Sequence, residues 1–148
     1  MEFQTQSQKE CYEKVAPWIK ELFGTFSMAR EDAPAFAVVV GSALAQIGVS
    51  AWGEADANIT TRSYLVTDAE LSPDLMLFLL RENDRMRFGA FGVDAENDIF
   101  FEHTILGAAA DMAELRSSVM AVVITADQYD DRIIERWGGT RMLERSAG

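Results

Sequence analysis

Residues 36–66 read FAVVVGSALAQIGVSAWGEADANITTRSYLV. Three runs rich in β-branched and aromatic residues are separated by Gly41-Ser42 and by the polar segment 53–58, both typical of turns. Because short links place consecutive strands side by side, the stretch predicts an antiparallel meander. Its predicted strands are 36–40, 44–52 and 59–66.

Helical patterns stand on both sides of these strands. From Gln6 to Phe23 apolar residues recur at three- and four-residue steps, and Gly24 is a natural end for that helix. Pro17 predicts a kink or a second start within it, because proline lacks the N–H of an interior position. After the strands, Ser72-Pro73 reads as an N-cap and a first helical residue, which predicts a short buried helix.

A second hairpin is predicted beyond that helix. Residues 88–93 alternate large side chains with small ones, 94–98 form a polar turn, and 99–106 return as a strand. Residues 25–34, which precede the first strand, are polar, small and acidic, and they predict a loop.

The last helix is the clearest element of the pattern. Asp111 and Glu114 form a variant of the capping box, and Gly138-Gly139 provides a stop. Between them runs an apolar stripe of nearly heptad spacing. The stripe consists of Met112, Leu115, Val119, Val122, Ala126, Tyr129, Ile133 and Trp137. Two interpretations stay open, since the stripe can pack on the sheet of its own domain or form part of a dimer seam.

The predicted order is α-β-β-β-α-β-β-α. Antiparallel strands broken by single helices indicate an α+β fold with helices on one face of the sheet. The length suits a single domain over residues 1–148, in which only Ser146-Ala147-Gly148 reads as a loose tail.

Charge and composition exclude several classes of function. With 13 Lys+Arg against 24 Asp+Glu the chain of 148 residues carries a formal net charge of −11, so nucleic acid and anionic membranes are not expected partners. A single cysteine, Cys11, excludes an internal disulfide, and a single histidine, His103, excludes a histidine-rich metal site. The N-terminal residues lack the features of a signal peptide, which predicts a cytoplasmic protein, and no cofactor is expected.

Few side chains indicate catalysis. His103 shares a strand face with Phe101 and Ile105, a pattern typical of a structural histidine, and Glu102 on the other face predicts an ion pair with arginine on a neighbouring strand. Acidic neighbours of Cys11 disfavour its thiolate.

One acidic face permits a metal site as a weak alternative. Asp127, Asp131 and Glu135 stand at i, i+4 and i+8 of the last helix, where carboxylates could hold Mg²⁺. Arg132 and Arg136 are interleaved with them, so the face is better interpreted as solvated.

Several short sequence words occur in order between about residue 36 and residue 139. They are Leu79–Asn83 (LLREN), Arg87–Phe91 (RFGAF), Phe101–Gly107 (FEHTILG), Glu114-Leu115, Ala126–Asp131 (ADQYDD) and Trp137–Gly139 (WGG). In their order these words resemble the YbjN-like domain family, whose fold is similar to the class I chaperones of type III secretion; the first helix matches by position only. The resemblance implies a small acidic homodimer that binds protein without catalysing a reaction. Chaperones of that fold hold an extended client segment by strand addition and apolar pockets.

The first functional hypothesis is therefore a non-enzymatic protein-binding domain with an unidentified client and with itself as partners. Its partner or dimer surface is predicted among three methionines, whose side chains are apolar and flexible, and two residues of the apolar stripe on the last helix. These residues are Met76, Met86, Met112, Leu115 and Val119. The alternatives are a magnesium-dependent hydrolase or phosphotransferase and a regulatory module in a signalling pathway.

Overall fold

The computed structural model describes residues 1–142. Its helices are α1 (Gln6–Phe23), α2 (Pro73–Arg85) and α3 (Met112–Trp137). Its strands are β1 (Ser27–Ala29), β2 (Ala35–Val40), β3 (Ala43–Trp52), β4 (Asp56–Thr67), β5 (Ala90–Val93), β6 (Ile99–Leu106) and β7 (Thr140–Arg141). The predicted tail 146–148 lies outside the described residues.

All seven strands of this part of the chain belong to one antiparallel sheet. The strand order is β1-β2-β3-β4-β6-β5, and β7 pairs with the end of β4. The α+β class and the order of elements predicted from the sequence are confirmed.

Two short strands were not predicted. β1 lies within the segment 25–34, which the sequence indicates to be a loop, and β7 follows the glycines that end α3. Each has at most three residues and forms by pairing with a longer neighbour, β2 or β4. Local sequence carries no signal for a strand that depends on its partner.

The predicted caps fix the starts of two helices. The Ser72 hydroxyl accepts a hydrogen bond from the Leu75 N–H at 3.2 Å, and the Asp111 carboxylate accepts one from the Glu114 N–H at 2.7 Å. α1 runs through Pro17 without interruption.

All three helices cover the same face of the sheet. In β4 alternate side chains from Ala57 to Leu65 are buried, which is the period of a strand with one covered face. Two apolar clusters result, one between α1, the sheet and the first half of α3, the other between α2, β5, β6 and the second half of α3. A polar layer lies between them, since Thr61 is fully buried and the His103 Nδ1 lies 2.8 Å from the Ser118 hydroxyl.

Candidate binding site on the open sheet face

The alternate side chains of β2, β3, β4 and β6 point away from the helices and form the second face of the sheet, here called the open face. Strand register places Gln46, Arg62 and Glu102 in one row across its centre. Beside that row lies Thr60, paired with Thr104 and joined to it by a hydroxyl contact of 2.8 Å. A shallow depression of about 370 Å³ follows these rows. It is lined by Ala35, Gln46, Gly48, Ser50, Thr60, Arg62, Tyr64 and Glu102.

Large apolar side chains flank this polar centre. At one end Trp52 is 64% exposed and Leu106 is 46% exposed. On the other side of the central row Tyr64 pairs with Phe100, and their rings meet edge to face at 5.9 Å. Isolated exposed apolar residues are ordinary on protein surfaces, but apolar groups on both sides of one depression indicate a binding surface.

The ion pair at the centre is held in place by its neighbours. Arg62 Nη2 lies 2.6 Å from a Glu102 carboxylate oxygen, and its Nη1 donates to the Tyr64 hydroxyl at 3.3 Å. The guanidinium also lies 3.8 Å from the centre of the Phe100 ring. Burial works against the charge, but the hydrogen bonds to Tyr64 and Glu102 prevail and raise the pKa of Arg62. The sequence prediction that Glu102 pairs with a neighbouring arginine is confirmed.

The free edge beside this face is also apolar. β1 pairs with β2 on one side, and no described strand pairs with its other side. Phe26, just before β1, is 67% exposed and Met28 within it is 69% exposed. Such an edge can accept an added strand.

Two of the residues predicted from the sequence as a partner surface lie in the core, whereas the three methionines of that prediction are partly exposed and stay a prediction. Leu115 and Val119 are fully buried in the cluster beneath α1, and this burial removes them from the predicted surface. Met76, Met86 and Met112 are half-buried and lie on α2, just after it and at the first residue of α3. The apolar stripe of α3 thus packs largely on its own sheet, which was the first of the two interpretations.

Sequence reasoning missed the open face. Trp52 and Leu106 end strand patterns and look like core residues in the sequence. The available signal was the alternation in β4 and β6, which places Arg62 and Glu102 on the face opposite Phe101.

The acidic face of α3 is engaged in local contacts. Asp127 accepts a hydrogen bond from Ser42 at 3.2 Å, and Asp131 pairs with Arg141. Within residues 1–142 no group of three His, Cys, Asp or Glu side chains is placed to hold a metal ion, so Glu135 does not complete a site with them. Asp130 is buried, and this burial raises the pKa of its carboxyl. The hydrogen bond from the Asp131 N–H and the charge of Arg141 oppose the shift, whereas the charges of Asp131 and Asp127 add to it.

The remaining chemistry candidates are packed residues. His103 is half-buried and, besides its contact with Ser118, meets the Phe88 ring edge to face at 5.7 Å. Cys11 is buried, and burial raises the pKa of its thiol, with Asp56 adding to the effect and Lys14 opposing it. The thiolate is therefore disfavoured mainly by burial rather than by the acidic sequence neighbours.

Across residues 1–142, no helix has the length and hydrophobicity needed to cross a membrane.

A family model described as T3SS (YopN, CesT) and YbjN peptide-binding chaperone 1 matches residues 9–145, which include most of α1. No curated protein matches the chain.

Three solved structures show the same fold at low sequence identity. A chain of the HopA1–SchA chaperone–effector complex is 7% identical with a TM-score of 0.64, covering 84% of this chain and 96% of its own. A chain of the ExsC–ExsE complex is 12% identical with a TM-score of 0.66, covering 85% and 95%. A chain of the Yersinia pestis type III secretion chaperone SycH in complex with a stable fragment of YscM2 is 11% identical with a TM-score of 0.58, covering 80% and 98%.

Proposed function

The chain belongs to the family of type III secretion and YbjN peptide-binding chaperones, and from this premise we propose that it holds an extended segment of a client protein on the open face of its sheet. The observation that carries the proposal is the open face itself, a polar centre between two groups of large apolar side chains. The adjacent free edge of β1 gives the client backbone a place to pair.

The arrangement favours a particular kind of client segment. Apolar client side chains would contact Trp52 and Leu106 at one end and Tyr64 at the other, while a polar residue between them would lie over the Arg62–Glu102 pair. Burying one large apolar side chain contributes about 1.5–3 kcal/mol to binding. The entropy lost when the client segment becomes ordered opposes this contribution. Two or three such contacts contribute about 3–9 kcal/mol, so backbone pairing at the β1 edge has to supply part of the affinity.

The proposed role is binding without catalysis. The charged groups in the depression neutralise each other, and the other polar groups there are hydroxyls and an amide. Neither the family nor the fold favours the magnesium-dependent enzyme or the regulatory module. The cytoplasmic location and the absence of nucleic-acid and membrane partners are predictions from the sequence.

We further propose a homodimer that forms through the outer face of α2. Leu77 is 44% exposed and Leu80 is 66% exposed, whereas Leu75 and Leu79 on the inner face are buried. Arg81 and Asp84 lie on the same outer face, at the helical spacing that continues Leu77 and Leu80. When two copies of α2 pack about a two-fold axis, opposite charges of this kind can pair across it.

One pair of variants tests both surfaces, because Leu106 and Leu77 are exposed to nearly the same extent, 46% and 44%. Peptides selected from a random display library on the wild-type protein are measured by fluorescence anisotropy, and mass is measured by light scattering at tens of micromolar. Leu106→Asp is expected to weaken peptide binding about tenfold or more and to leave the mass unchanged. Leu77→Asp is expected to halve the mass and leave peptide binding unchanged.

Two results would overturn these assignments. Peptide binding that survives Leu106→Asp contradicts the open face as the client site. A wild-type protein that is monomeric at tens of micromolar contradicts the dimer, whatever its peptide affinity.

A further inference from the structure

The outer edge of β5 is occupied by a side chain. β5 is the last strand in the order of the sheet and pairs with β6 on its inner side. On its outer side the Asn83 carboxamide accepts a hydrogen bond from the Phe91 N–H at 2.6 Å and donates one to the Phe91 carbonyl at 3.2 Å. A carboxamide carries the same donor and acceptor as a peptide group, so Asn83 takes the place of one residue of a neighbouring strand.

The surrounding core holds Asn83 in that position. Its neighbour Glu82 is 8% exposed and accepts a hydrogen bond from the Tyr129 hydroxyl of α3 at 2.5 Å. The Phe91 ring packs against Tyr129 at 5.0 Å and Phe101 at 4.9 Å. Both ends of the Asn83–Phe91 contact are therefore fixed by buried groups.

The chain between α2 and β5 also keeps the two close together. Gly89 has a φ of +87°, and a Cβ at this position would lie 2.5 Å from the Glu102 carbonyl oxygen. Only glycine fits this close approach without strain, which keeps the connection short and brings the last turn of α2 against the strand edge.

The opposite edge has no equivalent. The Arg30 N–H donates a hydrogen bond to the Ala35 carbonyl at 2.9 Å, so the backbone N–H of Arg30 points toward β2. In an antiparallel ladder the direction of the backbone groups alternates, so Ala29 presents its N–H and C=O outward. Within residues 1–142 no side chain forms hydrogen bonds with these Ala29 groups in the way that Asn83 does with Phe91.

We propose that Asn83 determines which edge of the sheet accepts an added strand: it closes the β5 edge, so that a client segment extends the sheet only at β1. The pairing of a client segment with β1 rests on the proposed function, but the closure of the β5 edge does not. Unprotected edge strands pair with other chains, and the partner excluded here is an extended backbone, whether of a client or of a second copy.

The first test uses the wild-type protein and backbone hydrogen exchange. The Phe91 amide is expected to exchange at least about tenfold more slowly than the outward amide of Ala29, because Asn83 protects the first and nothing described protects the second. Equal exchange rates at the two amides would overturn the closure without any question of misfolding.

The second test opens the edge. Asn83→Ala is expected to speed exchange at Phe91 and to produce assemblies larger than wild type in a concentration series followed by sedimentation velocity. Adding Val93→Pro removes the next outward N–H of β5 and is expected to restore the wild-type mass, because proline cannot donate to an added strand. Asn83→Ala protein that keeps both the wild-type mass and slow exchange at Phe91 would contradict the proposal.

These readouts are independent of the client. The peptides used for the open face are expected to bind Asn83→Ala as they bind wild type, and if no peptide binds either protein, the exchange rates and masses still decide whether β5 is closed.

Discussion

The two faces of the sheet are made by the same strands and differ in what covers them. In β6, Phe101 and Ile105 point into the core, whereas Glu102 and Thr104 between them point to the open face. The backbone is common to both, so the difference lies in the side chains and in the helices that pack on one side only. A strand period of two lets one sheet carry a core on one face and an exposed surface on the other.

The open face also differs from an ordinary solvated face. A sheet with one wet side usually alternates cleanly between apolar and polar residues. Here Trp52 and Leu106 break the alternation, and Phe100 is only 8% exposed although it lies on the open side. The sheet thus has three environments: a core, a polar centre and an exposed apolar rim.

The largest effect is expected from truncating one large apolar residue of β6 on each face. Phe101→Ala removes a fully buried ring from the core and should lower the free energy of unfolding by about 3–5 kcal/mol. Leu106→Ala, on the open face, should lower it by less than about 1 kcal/mol. Urea denaturation followed by circular dichroism measures both, and similar losses would break the distinction between the faces.

A smaller effect is expected at the polar centre. The Arg62–Glu102 pair is about one-third exposed, with side-chain exposures of 33% and 32%. A double-mutant cycle with Arg62→Met and Glu102→Gln should give a coupling of about 0.5–1 kcal/mol that decreases in high salt. A coupling of zero would mean that the pair does not order the centre of the face, and the single variants serve as their own controls.

The smallest effect concerns a carboxyl on the covered side. Burial raises the pKa of Asp130 above its unfolded value, so its favourable contribution is complete below the unfolded pKa and is lost as the pH rises through the folded pKa. From about pH 3 to about pH 7 the free energy of unfolding of the wild-type protein should therefore fall, relative to that of Asp130→Asn, by less than about 1 kcal/mol.

Urea denaturation at the two pH values measures this shift. Glu135→Gln makes the equivalent change from carboxyl to carboxamide on the exposed surface of α3 and is the matched control. A shift in the opposite direction would mean that the hydrogen bond from the Asp131 N–H and the attraction of Arg141 together outweigh burial.

Elements with local signals could be predicted from the sequence. β6 has the predicted bounds, and α2 and α3 begin at the predicted caps Ser72 and Asp111. β1 and β7 could not be predicted, since they depend on pairing with distant residues. β4 begins three residues before the predicted 59, because Asp56 pairs with Trp52 although it reads as part of a turn.

The binding site was less predictable than the fold. The stripe on α3 was visible in the sequence, but a stripe does not reveal what covers it, and Leu115 and Val119 proved to be core residues. Alternation likewise shows that a strand has two faces without showing which one lies under the helices. Asn83 had no signal, because its role depends on the distance between the end of α2 and β5.

The polar layer that divides the core gives α3 a further role. With 26 residues the helix is about 39 Å long, and its two halves pack into different apolar clusters. Ordering this helix costs conformational entropy once, and both clusters share that cost. The cluster beneath α1 and the cluster beneath α2 are therefore thermodynamically linked through α3, so stabilising either end of this helix favours order at its other end.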